Sequence, residues 1–357
     1  MFNRYKELFD GSLGNLSVPP IKLEVKPGTD PVHSRPFSVS HIYKETLCQE
    51  IRRIVALNIL GKVSCSDWSS SMFIIPKPNG TVPMVSNLIK LNASFFQKPY
   101  PVPNISGIVE ELEGFQYITD LNLNMGGYNI CLDPRPQDVC TIITPWGKYK
   151  YLRLPMGIMC ALDILKEKMS NLMEGLEFAR TYLENLLCLS KGNFNKHLED
   201  VERVLIRLQK ANLKVNASKS SFGKTEIDYL GYVVTRNGIK PQPKKIEAIL
   251  KIARPSTVKD VRSFLGMVQY YRDIWKKRSH ILAPLTELTG GEKKKKFEWN
   301  ESCEMDFVTT LELLAKNVML AYPKISKKSF YIRTQAIYSW IRLFHKKINQ
   351  WYSTVEY

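Results

Sequence analysis

The sequence contains no CxxC pair, and its seven cysteines, Cys48, Cys65, Cys131, Cys140, Cys160, Cys188 and Cys303, are scattered and odd in number. That pattern offers neither a zinc site nor a redox motif. A chain of 357 residues is long enough for about two domains with ordinary cores and needs no disulfide staples. The first residues, MFNRYKELFDGSLGN, lack the apolar centre of a signal peptide, and no apolar run reaches the roughly 20 residues of a membrane helix. A soluble, intracellular protein without a membrane partner is therefore expected. Acid is also in short supply. Against 51 Lys and Arg stand 34 Asp and Glu, a net charge of +17 that favours polyanions such as nucleic acid. The excess is concentrated between Lys240 and Lys296, where 15 basic residues face 5 acidic ones, +10 of the total. Such a run suits either a solvated basic face or a surface that follows a nucleic-acid backbone.

Residues 1–40, rich in Pro and Gly and without a sustained period, read as an extended leader. From His41, apolar residues at Tyr43, Leu47, Ile51, Ile54 and Val55 recur at helical spacing, which predicts a helix ending near Gly61. SMFIIP and TVPMV flank Lys77-Pro78-Asn79-Gly80, a hairpin signal in which Pro83 confines the second strand to an edge or a bulge. Strands are predicted at 128–132 and 139–143, and a helix through Lys166 to Met173. The stretch Phe178–Leu183 and the stretch Leu186–Leu189 read as two strands joined by a tight turn at Glu184-Asn185. A helix marked by Leu198, Val201, Leu205 and Leu208 follows, then Tyr229–Val234 and a turn at Asn237-Gly238. Thr257-Val258-Lys259-Asp260 has the form of a capping box opening a helix that continues through Ile274. Gly290-Gly291-Glu292 and four lysines form a linker before Phe297. Helices and strands are mixed throughout, so the class is α+β.

Several of these segments, LPMG at 154–157, TYLENLLCLS at 181–190, YLGY at 229–232, VRSFLGMVQYYR at 261–272 and APLTELT at 283–289, stand in one order and spacing. In that order the chain resembles the reverse transcriptase of gypsy-type long-terminal-repeat retrotransposons, from about Tyr5 to the C-terminus. The resemblance implies a right-hand polymerase fold. Fingers and palm would span 41–242, basic thumb helices 243–290, a Lys-rich linker 291–296, and a truncated ribonuclease H-like α/β piece 297–357. It also implies RNA and DNA template–primer partners and Mg²⁺ or Mn²⁺ as cofactor.

The family holds its two metal ions with one aspartate on a palm strand and two adjacent aspartates at the facing hairpin. Those positions fall on Asn122, Glu184 and Asn185. An amide offers a carbonyl oxygen but no charge, so two of three anions are missing and only Glu184 remains. Asp120 shares the strand face of Asn122 but is displaced by about 6.6–6.8 Å along it, which makes it a poor substitute ligand. Among nucleotide-binding positions, Lys77 is retained, the triphosphate-holding arginine aligns with Pro83, the sugar-screening aromatic aligns with Gly127, and Met156 belongs to LPMG by the templating base. Asn87, Leu88 and Ile89 stand where the family has Asp, an aromatic and Arg. Gly231 and Tyr232 match the primer grip. Arg262, Arg272, Lys276, Lys277 and Arg278 are the thumb cations available to phosphates. In the ribonuclease H-like stretch the first aspartate aligns with Gln335, and Glu356 matches a later glutamate.

Three functions are compatible with these residues. They are an active RNA-directed DNA polymerase, a catalytically silent nucleic-acid-binding protein, and a decaying copy of an element. The substituted metal positions weigh against the first.

Overall fold

The computed structural model describes residues 2–77, 82–101, 112, 114–271, 278–290, 297–316 and 320–322, except the side chains of 278, 320 and 321. These residues belong to one unit, Met1–Tyr322. The leader is not extended from its start, because Phe2–Phe9 form a 3-10 helix that buries Tyr5 and Leu8. Phe2 and Phe9 pack edge-on against Phe222. Beyond it, isolated bridges pair Ile21 with Leu132, Val25 with Phe95 and His33 with Ser69. The Arg153 guanidinium pins this strap by donating to the carbonyls of Gly14, Asn58 and Tyr128.

Helix α1 spans His41–Ala56 and ends earlier than the spacing predicts, because Asn58 turns into the left-handed region at φ 53° and hands the chain to a strand. Strands β1 (Leu60–Val63), β2 (Ser70–Ile74) and β3 (Met84–Ser86) follow, then β4 (Tyr117–Asn122), β5 (Thr141–Thr144) and β6 (Gly147–Tyr151). No strand forms at 128–132. Gly126–Asn129 make a 3-10 turn in which the buried Asn129 amide donates to the carbonyls of Asn124 and Gly126. Helix α2 (Ala161–Leu172) leads to β7 (Ala179–Tyr182) and β8 (Asn185–Ser190), then helix α3 (Phe194–Lys210) and strands β9 (Ser221–Lys224), β10 (Glu226–Tyr229), β11 (Tyr232–Thr235) and β12 (Gly238–Pro241). Helices α4 (Pro243–Leu250), α5 (Val258–Tyr270), α6 (Ala283–Glu287) and α7 (Glu301–Ala315) precede β13 (Leu320–Ala321).

Three sheets result, in the orders β1-β6-β5-β2-β3, β7-β8-β4-β9 and β10-β11-β12-β13. As Pro83 requires, β3 lies at a sheet edge, and Pro83 stands just before it with its carbonyl accepting the Ile75 N–H at 3.2 Å. The second sheet is antiparallel throughout and separates two cores. Alternation sends Leu121, Leu186 and Cys188 to the larger one. It sends Ile118, Leu187 and Leu189 to the other, which also holds Tyr229, Tyr232, Phe264 and Phe307. Helix α5 begins with the predicted capping box, Thr257 and Asp260 each bonding the other's backbone N–H. Residues 297–316 and 320–322 are not set apart from the helices before them: Phe307 packs at a tilt against Phe264 with centroids 4.8 Å apart, and β13 extends the third sheet. Helices and sheets are mixed, as the α+β class requires.

Candidate active site

The register of β4 and β8 decides what can meet at the head of the palm sheet. Asn122 pairs directly with Asn185, so both side chains leave the same face, about 5 Å apart at Cβ. Their amides bond to each other, Asn122 Nδ2 donating to Asn185 Oδ1 at 2.9 Å. Two of the three positions that the resemblance assigns to metal-binding aspartates are thus brought together and joined by one hydrogen bond.

The hairpin turn lies one residue earlier than the polar pair suggested. Tyr182 pairs with Asn185, so Leu183 and Glu184 form the two-residue connection and Asn185 already belongs to β8. Leu183 adopts φ 54°, a strained position for a branched apolar residue. The Glu184 carbonyl accepts the Leu123 N–H at 2.9 Å. Its carboxylate lies over Gly126, where Oε2 would be 2.8 Å from an added Cβ. A side chain at 126 would push this carboxylate aside.

This donor set does not fit two divalent metal ions. The amide pair contributes no negative charge, and the Asn185 oxygen already accepts the Asn122 N–H, leaving one carboxylate for hard cations that need several anionic oxygens. Among the described residues no three His, Cys, Asp or Glu side chains converge on one point. Asp120 does share the face of Asn122, as expected, but it is only 8% exposed. It sits between Leu187 and Ser221, and its Oδ1 has no hydrogen-bond partner. Burial pushes this carboxyl up to about 6.

Met156 and Gly127 are neighbours. The Met156 sulfur would be 3.4 Å from a Cβ on Gly127, and the Leu154 carbonyl oxygen 3.3 Å. Met156 itself is 49% exposed, and Ile89, at the arginine position of the family, is 78% exposed. Lys77 is exposed, and residues 78–81, where the hairpin turn was expected, lie outside the described residues. The YLGY segment forms a tight hairpin with Tyr229 opposite Tyr232 and positive φ at Leu230 and Gly231. Tyr232 is buried, stacked on Tyr270 at 5.7 Å, and donates to the Tyr270 carbonyl at 2.9 Å, so packing against α5 is its evident occupation. Arg262 is exposed and donates to the Thr289 carbonyl at 3.0 Å. Arg272, Lys276 and Lys277, the side chain of Arg278, and Gln335 and Glu356 lie outside the described residues.

Two groups were not singled out from the sequence. Lys166 on α2 is buried and donates to the Thr181 carbonyl and, at 3.0 Å, to its Oγ1. It therefore places an ammonium under the β7–β8 hairpin. Its position beside Leu165 and Met169 on the apolar face of α2 was the available signal. The second group is the buried set Ser190, His197 and Asp200. Ser190 donates to Asp200 at 2.8 Å and lies 2.9 Å from His197 Nδ1, while His197 Nε2 reaches Thr119 at 2.8 Å. The serine stands between the other two and all are buried, so the set braces α3 against the palm sheet and presents no nucleophile.

A family model described as reverse transcriptase (RNA-dependent DNA polymerase) matches residues 45–234. The chain is 29% identical over 354 residues to the retrovirus-related Pol polyprotein from transposon opus of Drosophila melanogaster, covering 94% of this chain and 35% of that protein. To the corresponding polyprotein from transposon gypsy it is 29% identical over 325 residues, covering 86% and 31%. The chain thus spans about a third of the length of these relatives. Among solved structures, a foamy viral protease-reverse transcriptase in complex with double-stranded DNA superposes with TM-score 0.83 at 20% identity, covering 90% of this chain and 57% of that one. The foamy viral protein in complex with an RNA/DNA hybrid superposes with TM-score 0.80, at 20% identity and 90% and 44% coverage.

Proposed function

The chain belongs to the reverse transcriptase (RNA-dependent DNA polymerase) family, and we propose that it acts as a catalytically silent member that grips template–primer duplex without extending it. Template-directed nucleotidyl transfer in this family generally depends on divalent metal ions, which clamp the attacking and leaving oxygens. The Asn122–Asn185 hydrogen bond carries the reading, because it puts a neutral amide pair where that chemistry needs carboxylates. Pro83 and Gly127 compound the loss. Proline has no guanidinium fork for a triphosphate, and Gly127 has no ring to screen the sugar.

The gripping surface needs no metal. Arg262, Gly266 and Tyr270 follow one another at four-residue spacing along the exposed side of α5, and nothing lies within 4 Å of where a Gly266 Cβ would be. A nucleic-acid backbone can approach the helix closely there. Lys244, Lys245 and Lys259 are exposed on α4 and α5 and add charge for phosphates. Recognition by such groups is nearly independent of sequence and weakens with salt.

The test is the salt dependence of binding to an RNA/DNA primer–template and to duplex DNA. Each phosphate contact contributes about −0.9 to the slope of log affinity against log salt for B-form DNA. Replacing Lys276, Lys277 and Arg278 with Ala is expected to weaken all duplexes alike and flatten the slope. Replacing the linker lysines 293–296 should do less. Absence of duplex binding at low salt by the folded chain would overturn the proposal and leave a decaying copy of an element.

A further inference from the structure

Strand β9 departs from the regular ladder of β4 at one point. Ile118 pairs with Lys224 and Asp120 with Ser221, so Phe222 and Gly223 stand opposite Thr119 alone, a bulge in which Gly223 takes φ +57°. A side chain meets the backbone there: the Gly223 N–H donates to Thr119 Oγ1 at 3.1 Å. From Thr119 the bonds run inward. His197 Nε2 lies 2.8 Å from the same oxygen, His197 Nδ1 lies 2.9 Å from Ser190 Oγ, and Ser190 donates to Asp200 Oδ2 at 2.8 Å. Both ends of this chain have fixed polarity, since an amide N–H only donates and a carboxylate only accepts. The Ser190 hydrogen goes to Asp200, so Nδ1 carries the imidazole proton and Nε2 is bare. The Thr119 hydroxyl then donates to Nε2. Thr119, Ser190 and His197 are each 1% exposed.

This arrangement has no place for a second imidazole proton. A proton on Nε2 would turn an N–H onto Thr119 Oγ1, which already receives the Gly223 N–H, and would leave the buried Thr119 hydroxyl hydrogen without its acceptor. Around the ring stand Lys196 and Asp200 of α3, the Cys188 thiol, which shares a face of β8 with Ser190, the Tyr117 phenol of β4 and, over the Tyr117 ring, the Arg236 guanidinium. Asp120 and Lys224 line a pocket on the other side of the sheet. Burial holds the imidazole below its ordinary value of 6.5, against the pull of the Asp200 carboxylate. The strand at stake is the weakly held one, because β9 lies at the sheet edge, whereas β4 and β8 pair without a break from Tyr117 to Asn122. We propose that His197 is an acid-released latch, whose protonation at Nε2 breaks the link to Thr119 and lets the β9 bulge leave β4 while the rest of the palm sheet stays folded. Only Thr225 separates β9 from β10, so release loosens the mooring of the β10–β11 hairpin.

The experiment is amide hydrogen exchange of the full chain by NMR from about pH 7.5 to about pH 4.5, corrected for the pH dependence of an unstructured amide and read beside the His197 ring signal. Protection of the Gly223 amide is expected to fall about tenfold, the scale of one hydrogen bond, along the same curve as the His197 ring and with a midpoint below 6.5. The amides of Leu186 and Leu187 at the centre of β8 should keep their protection. His197→Gln, neutral at every pH in this range, should remove the pH dependence at Gly223. Constant Gly223 protection across the range, a His197 midpoint at or above the ordinary value, simultaneous loss at Gly223 and in β8, or an undiminished pH dependence in folded His197→Gln would each overturn the proposal. The first three readings come from the unsubstituted chain and decide the matter even if the variant does not fold.

Discussion

The Tyr270 hydroxyl donates to the Leu230 carbonyl, so the last turn of α5 holds the turn of the β10–β11 hairpin from outside. Tyr271 adds a second hydroxyl, donating to the Gly231 carbonyl at 3.3 Å. Hairpin and helix are joined by stacked rings as well as by hydrogen bonds, and should move as one body. Replacing Tyr270 with Ala removes the Tyr232 stack and one bond, with an expected cost of about 2–3 kcal/mol. Gly231→Ala is expected to cost about 1–3 kcal/mol, since φ is +76° and a Cβ would come within 2.9 Å of the Tyr270 ring. Denaturant unfolding of both variants measures these losses, and a change below about 0.5 kcal/mol in both would show the contact to be incidental.

How far such contacts can be read from sequence varies by element. The capping box of α5 and the edge position of β3 were legible, because each is dictated by a few neighbouring residues. The two polar turns were misplaced by one residue for one reason. At Glu184-Asn185 and Asn237-Gly238 the second residue is claimed by a strand pair, Asn185 by Tyr182 and Gly238 by Thr235, which puts the turns at Leu183-Glu184 and Arg236-Asn237. Register is a property of two strands and was not visible in either. The YNICL stretch has strand composition, yet the buried Asn129 bends it. The meeting of Asn122 with Asn185 was expected from the family pattern, whereas their mutual hydrogen bond and the isolation of Asp120 depend on packing between distant segments.

Asp120 gives a pH signature. Burial pushes its carboxyl up to about 6, above the ordinary carboxyl value of 3.8. Between these values the folded state keeps a proton that the unfolded state has released, so stability falls as pH rises through that window. Asp120→Asn cannot ionise and should escape the fall. It is expected to be more stable than the unsubstituted chain by about 2 kcal/mol at pH near 7.5, with the advantage vanishing near pH 4. Unfolding midpoints across that range test this, and a constant difference between the two proteins would contradict it.

Restoring the carboxylates should not restore the enzyme. Asn122→Asp, Glu184→Asp and Asn185→Asp together rebuild the anionic shell, but Pro83 and Gly127 still lack the groups that hold triphosphate and sugar. Primer extension by the triple variant is expected to stay close to background. Mg²⁺ should nevertheless raise its thermal midpoint more than that of the unsubstituted chain, because only the variant offers clustered carboxylates that a cation can relieve. Robust extension would show that the metal ligands are the only defect.

Primer extension shows directly whether the amide pair has ended catalysis. A labelled primer annealed to an RNA template is incubated with the unsubstituted chain, all four deoxynucleoside triphosphates and either Mg²⁺ or Mn²⁺. No product beyond that of a protein-free control is expected. Template-dependent extension that disappears on Glu184→Ala would contradict it, because the single remaining carboxylate of the hairpin would then be sufficient for the chemistry.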